Sequence, residues 1–220
     1  MNIEKYRQIT QELDKYGAKL VAVSKTKPAE DIQALYNQGQ RIFGENKVQE
    51  MTAKHEQLPK DIQWHLIGHL QTNKVKYIAP YVSLIHSVDS LKLLQEIDKQ
   101  AEKNNRVIPC LLQVYIANED TKFGLSAEEV HALLGSPEYQ ALQHISIHGL
   151  MGMATNTEDE SQIEAEFATL QQLHAELKAK YFAHTDTFTE LSMGMSSDYH
   201  LALKHGATLV RVGSMLFGER

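Results

Sequence analysis

The residues best suited to chemistry stand where short apolar runs end. The first such run, Leu20–Ser24, continues into VAVSKTKP, and Val21, Val23 and Lys25 share one parity. If the valines of a strand point into an interior, Lys25 points the same way at its mouth. An ammonium beside apolar surface is costly to keep charged, so burial lowers its pKa and frees an amine that can attack a carbonyl. A lysine that snorkels from the strand end to solvent is an equally good reading of this run alone. Lys27 has the same parity but lies beyond the run and before Pro28, and reads as a solvated surface lysine.

The far end of the sequence offers an anion site. In TLVRVGSMLFG, Gly213 and Ser214 follow an apolar run, with helix-competent Met215–Phe217 behind them. Backbone N–H groups at such a turn, with a hydroxyl, bind a dianion well. The segment LSMGMSSD adds Ser192, Gly194 and Ser196. Each motif alone reads as a turn; both beside an inward lysine read as a phosphate site. Arg211 shares parity with Gly213, so it faces the interior either towards a ligand or as a buried ion-pair partner.

Eleven histidines call for a metal test. His65 and His69, and likewise His144 and His148, stand four apart, a zinc spacing on a helix. On strand-like runs that spacing leaves them roughly 13 Å apart. No carboxylate or cysteine lies at a complementary spacing, so no metal is expected. Cys110, inside an apolar run, reads as a small core residue.

The elements that must position these groups alternate regularly. Strand-like runs are Leu20–Ser24, Arg41–Gly44, Ile62–Gly68, Ser83–Val88, Val107–Ile116, Ile145–Met151, Phe188–Gly194 and Thr208–Gly213. They are short, apolar and rich in β-branched residues, as strands of a parallel sheet covered on both faces should be. Between them lie helix-length segments. Ser126–Glu129 has a capping-box pattern with a stop at Gly135 and Pro137, and Thr157–Glu160 a second one. A first helix over residues 2–16 precedes any strand and is expected to cover one end. Eight strand–helix units imply α/β architecture, either a closed (β/α)8 TIM-type barrel or an open doubly wound sheet. No G-x-G-x-x-G follows the first strand, which favours the barrel. Functional residues then belong at the C-terminal ends of the strands, and closure sets the eighth strand beside the first.

Composition limits the partners. At 220 residues the chain suits one well-buried core, and residues 1–220 read as a single domain. A net charge of -6, with no basic run, argues against nucleic acid. No apolar stretch is long enough for a membrane span or a signal peptide. A single cysteine points to a reducing compartment, so a cytoplasmic location is expected.

The segments AVSKTKP, FGENKVQE, WHLIGHLQTNK, IHSVDSLKL, LSMGMSSD and VRVGSMLFG closely resemble those of the pyridoxal 5′-phosphate (PLP) homeostasis proteins. The resemblance runs from about Leu20 to Gly218. It implies the barrel of the alanine racemase N-terminal domain, and PLP carried at Lys25 as a Schiff base. It further implies that Ser192, Gly194 and Ser196, with Gly213 and Ser214, hold the phosphate, and that Arg211 faces the pyridine nitrogen. Asn46 and His65 would lie near the cofactor. The loop YIANEDTKFGL departs from the family pattern, in which Lys122 and Gly124 fit but Ala117 through Asp120 fit loosely.

An arginine opposite the ring nitrogen offers only donors, so it keeps that nitrogen unprotonated and weakens the electron sink. Racemisation also needs a base on each face of the substrate carbon. In racemases of this fold the second base comes from a β-domain, and residues 1–220 are expected to carry no such domain. The expectation is a monomeric carrier that buffers PLP or delivers it to apo-enzymes, with no catalytic residue assigned. The alternative is a weak racemase-like enzyme, for which Tyr199 is the nearest candidate base. A barrel enzyme acting on a phosphorylated aldehyde is a third reading.

Overall fold

A computed structural model describes residues 1–117 and 123–218. Eight parallel strands, β1 (Lys19–Val23), β2 (Ile42–Glu45), β3 (Gln63–Leu66), β4 (Leu84–Val88), β5 (Ile108–Gln113), β6 (Ile145–Met151), β7 (Glu190–Met195) and β8 (Leu209–Val212), close into a barrel in sequence order. The expected barrel is the observed fold. Closure pairs β1 with β8 in the register Val21↔Arg211 and Ala22↔Val212.

Strand parity separates two apolar regions. Leu20 and Ala22 pack outward against the helices, whereas Val21 joins Leu84, Leu111, Met151 and Leu209 inside the barrel. The helices are α1 (Ile3–Asp14), α2 (Ala29–Tyr36), α3 (Val48–Gln57), α4 (Val75–Ile78), α5 (Leu91–Lys103), α6 (Ala127–Gly135), α7 (Pro137–Gln140), α8 (Glu160–Tyr181), α9 (Tyr199–Lys204) and α10 (Ser214–Phe217). Their apolar faces cover the strands from outside: Ile163, Phe167, Leu170 and Leu177 of α8 are buried at helical spacing. None of these helices is long and apolar enough to cross a membrane.

Three local expectations meet the structure differently. Ser126 and Glu129 form the reciprocal capping box, and α6 stops at Gly135 before Pro137 opens α7. Thr157 does not cap α8. Asp159 does, accepting from the Ser161 and Gln162 N–H groups, while Thr157 Oγ1 accepts from Asp159 N–H in the preceding turn. The charged carboxylate is the better acceptor at a positive helix end. Nor does α1 cap the barrel. Asn2 N–H donates to Leu216 O (2.7 Å) at the start of α1, and its far end leads directly into β1. It therefore runs along the barrel wall, taking the outer-ring place that the single-turn α10 is too short to fill.

Candidate functional site

At the C-terminal ends of the strands lies a cavity of about 460 Å³, within the roughly 300–1,000 Å³ range of small-molecule sites. Val23 and Lys25 line it from β1 and its exit turn, and Arg211, Gly213 and Ser214 from β8 and its exit. Thr26, Lys27, Asn46, Ser196 and Ser197 add to the polar wall, and Ile67, Met153 and Met195 are its apolar side. Thus Lys25, Asn46, Ser196, Arg211, Gly213 and Ser214 come together as the sequence led one to expect. Ser192, His65 and Gly194 do not line the cavity, and each has a different place.

Lys25 occupies the second position of a tight turn from Ser24 to Lys27, closed by Lys27 N–H donating to Ser24 O (3.0 Å). The third position, Thr26, has φ +65°. A positive φ there is the mark of a type II turn, which favours glycine. For a β-branched residue it costs about 1–3 kcal/mol and persists only where surrounding contacts impose it. Those contacts are visible. Thr26 N–H donates to Glu50 Oε1 (2.5 Å), which also accepts from Lys54 Nζ (2.7 Å). Lys54 Nζ donates further to Ser24 O (2.8 Å) and Glu45 Oε1 (2.7 Å), and Glu45 Oε1 accepts from Ser24 Oγ (2.6 Å). Burial pushes the Glu45 carboxyl up, opposed by the Lys54 and Ser24 hydrogen bonds.

The β7 and β8 exits are shaped by two glycines. Gly194 has φ +87°, and a Cβ there would lie 2.7 Å from Ala202 Cβ and 2.9 Å from Tyr199 Cα. Glycine there lets α9 close onto β7. Asp198 then accepts from Met195 N–H (2.5 Å), folding the turn that presents Ser196 and Ser197. A Cβ on Gly213 would lie 3.0 Å from Val23 O, so glycine brings the β8 exit tightly against β1. Gly213 N–H donates to Ser196 Oγ (3.4 Å), joining the two exits. Behind it, the N–H groups of Ser214 and Met215 open α10, where a helix offers no acceptors of its own.

Beneath the cavity runs a buried polar chain. Arg211 donates from Nη1 to Ser192 Oγ (2.6 Å) and from Nη2 to Gly152 O (3.0 Å). Ser192 Oγ lies 2.9 Å from His86 Nδ1, and His86 Nε2 lies 2.9 Å from His65 Nδ1. Ser192 and His65 thus serve Arg211 from below; inside the barrel their polar atoms can only meet each other. Burial, reinforced by the Lys19 charge, lowers His65 to about 3, and burial takes His86 well below its ordinary value. Both rings are neutral at pH 7. Burial also lowers Arg211, to about 10, which leaves the guanidinium charged.

His69 and His144 face the carboxylates of Asp89 and Asp98 at the surface. Among the described residues no group of three His, Cys, Asp or Glu side chains is placed to hold a metal ion. Cys110 is buried and burial pushes its thiol up, which suits a core residue. Gly124 lies in the turn after β5 with φ +112°, whereas Lys122 lies outside the described residues.

Sequence reasoning missed Glu45, Glu50, Lys54, His86 and Ser197. Glu50 and Lys54 carried the i, i+4 signal of a helical ion pair. Leu84 and His86 share parity, which placed His86 inside the barrel.

Residues 2–220 match the family described as "Alanine racemase, N-terminal domain". The chain belongs to that family. Within it, a pyridoxal phosphate homeostasis protein of Aquifex aeolicus is 43% identical over 205 residues, covering 92% of this chain and 87% of its own. A Helicobacter pylori protein of the same name is 42% identical, covering 91% and 87%. Among solved structures, PipY of Synechococcus elongatus without PLP has a TM-score of 0.90 at 39% identity, over 98% of this chain and 99% of PipY. PipY with PLP bound has a TM-score of 0.87 at 38% identity, over the same shares. The chain is therefore also a member of the PLP homeostasis proteins.

Proposed function

We propose that the protein holds PLP in the cavity as a Schiff base on Lys25 and serves intracellular PLP homeostasis without efficient catalysis. One observation carries this reading. Lys27 also lines the cavity but donates to Phe217 O and Gly218 O, and Lys54 is enclosed by Glu45, Glu50 and Ser24. Lys25 lines the cavity and has no hydrogen-bond or ion-pair partner among the described residues. An unpaired, half-buried amine facing a cavity is poised for a carbonyl.

The rest of the donor set fits PLP. Ser196 and Ser214, with the N–H groups at the α10 start, suit a phosphate dianion. Arg211, charged and held from beneath, would meet the ring nitrogen as a donor. Bound PLP supplies an aldehyde for the lysine and, with its nitrogen unprotonated, a weak electron sink. Relatives named for PLP homeostasis, and the PLP-bound PipY structure at 38% identity, support the same reading. In it, the protein works as a cytoplasmic monomer exchanging PLP with apo-enzymes that require it.

A racemase-like activity needs a second base near Lys25. Among the described residues lining the cavity there is no tyrosine, cysteine or histidine. Tyr199 donates from its hydroxyl to Glu12 Oε2 (2.7 Å), on α1 in the outer ring.

Visible absorption of the purified protein with PLP tests the proposal. Wild type should show the imine band, and Lys25→Ala should lose it while still retaining PLP weakly through its phosphate. An undiminished band in Lys25→Ala would overturn it.

A further inference from the structure

We infer that Lys54, together with Glu45 and Glu50, is a positioning device for Lys25, an assignment that rests on the PLP reading above. The cluster grips the chain on both sides of that lysine. On one side, Ser24 is held through both its carbonyl and its hydroxyl, by Lys54 Nζ and Glu45 Oε1. On the other, Thr26 N–H is tied to Glu50 Oε1 with its backbone in the left-handed region. Lys25 lies between the two anchors and is itself bonded to neither. A β-branched residue does not adopt this conformation unaided, so the turn that aims Lys25 depends on the cluster.

The cluster also has an electrostatic task. Two carboxylates, Glu45 and Glu50, bind the chain at residues 24 and 26. Lys54 occupies both, at 2.7 Å to Glu45 and 2.7 Å to Glu50, with its own side chain 9% exposed. Glu45 is fully buried and its Oε2 has no partner among the described residues, so Lys54 is its principal counter-charge. Burying this lysine among the carboxylates leaves the other one free. That division of labour matters for the covalent step. The neutral Lys25 amine adds to the aldehyde carbon, a C=N bond replaces the C=O bond, and the oxygen leaves as water.

The test separates covalent capture from non-covalent binding in the full-length protein. PLP reports both. Pyridoxine 5′-phosphate, which carries an alcohol in place of the aldehyde, reports only the second. In Lys54→Met the rate of imine formation at Lys25, trapped by borohydride, should fall roughly ten- to hundredfold, the scale of a reacting group displaced by about 1 Å. Affinity for pyridoxine 5′-phosphate should not change, and Lys54→Arg should recover part of the rate. Imine formation at the wild-type rate in Lys54→Met would overturn the inference. So would an equal loss for both ligands, which would mark a merely structural role. If Lys54→Met fails to fold, Glu50→Met, at a half-buried position, removes the acceptor of Thr26 N–H and one of the Lys54 partners and should show a smaller fall confined to the covalent step; an unchanged rate there would also overturn it. Wild-type protein that forms no imine at Lys25 would instead sink the PLP reading, so the two failures are distinguishable.

Discussion

The rim and the floor of the cavity are built on opposite principles. On the floor, Arg211, Ser192, His86 and His65 are buried and answer one another through hydrogen bonds of 2.6–2.9 Å. At the rim, Lys25, Ser196 and Ser214 line open space, and Lys25 has no protein partner among the described residues. A satisfied network is rigid and costly to break, whereas unmet donors wait for a ligand. Stability should therefore reside in the floor and binding in the rim. The contrast can be broken by substitutions that cross this line.

The largest effect should come from Arg211→Met. It orphans the Gly152 carbonyl, at about 1–3 kcal/mol for a buried group left unpaired, and strips Ser192 of one of its two partners. Thermal unfolding should shift down by roughly 2–4 °C per kcal/mol for a chain of this size. An unchanged midpoint would mean that the floor does not hold the barrel together.

Acid should find the same region. His65 is lowered from its ordinary 6.5 to about 3, so the folded state resists its protonation while the unfolded chain accepts it. That contribution is fully present above pH 6.5 and is lost as pH falls from there towards about 3. Each floor histidine forced to charge adds a slope of ~1.4 kcal/mol per pH unit. Urea unfolding of the ligand-free protein between pH 7 and 4 should show this fall, and His65→Gln should flatten it. Parallel curves for the two proteins would count against the assignment.

Ser214→Ala should do the reverse of Arg211→Met. It should weaken PLP retention by ~1.5–3 kcal/mol, the value of a hydrogen bond to a charged group, and leave the unfolding midpoint where it was. Ser192→Ala should instead lower the midpoint first, because its hydroxyl serves Arg211 and His86. Equilibrium dialysis beside thermal melts would show whether the two serines exchange roles.

The smallest effect is expected from Tyr199→Phe, which loses one half-buried hydrogen bond to Glu12, about 0.5–1.5 kcal/mol. Proton–deuterium exchange at Cα of alanine should be no different from wild type. A loss of exchange activity in this variant would restore Tyr199 as a base.

The barrel was legible because its information is local and periodic. Eight apolar runs, each a strand length, predicted the strands to within a few residues, and the parity of Val21, Val23 and Lys25 placed the lysine at the cavity. The glycines and serines near β7 and β8 were legible as a group but not one by one. Ser192 and Ser196 stand four apart in a single motif, yet one ends below the cavity and the other on its wall. Only the turn made by Asp198 and the close packing at Gly194 decides between them. The Lys54 cluster was hidden for a different reason. Its members come from β1, β2 and α3 and their exits, and nothing in sequence spacing tells a buried ion pair from an ordinary helical one. The placement of α1 and the cap of α8 were misjudged because patterning sets where a helix forms, while tertiary contacts set what it leans on.

Borohydride reduction of the protein with PLP, followed by peptide mass mapping, addresses the central claim most directly. The account predicts a pyridoxyl adduct on Lys25 and on no other lysine, with Lys27 and Lys54 unmodified because their amines are already engaged. An adduct spread over surface lysines, or its persistence elsewhere in Lys25→Ala at the wild-type level, would contradict it.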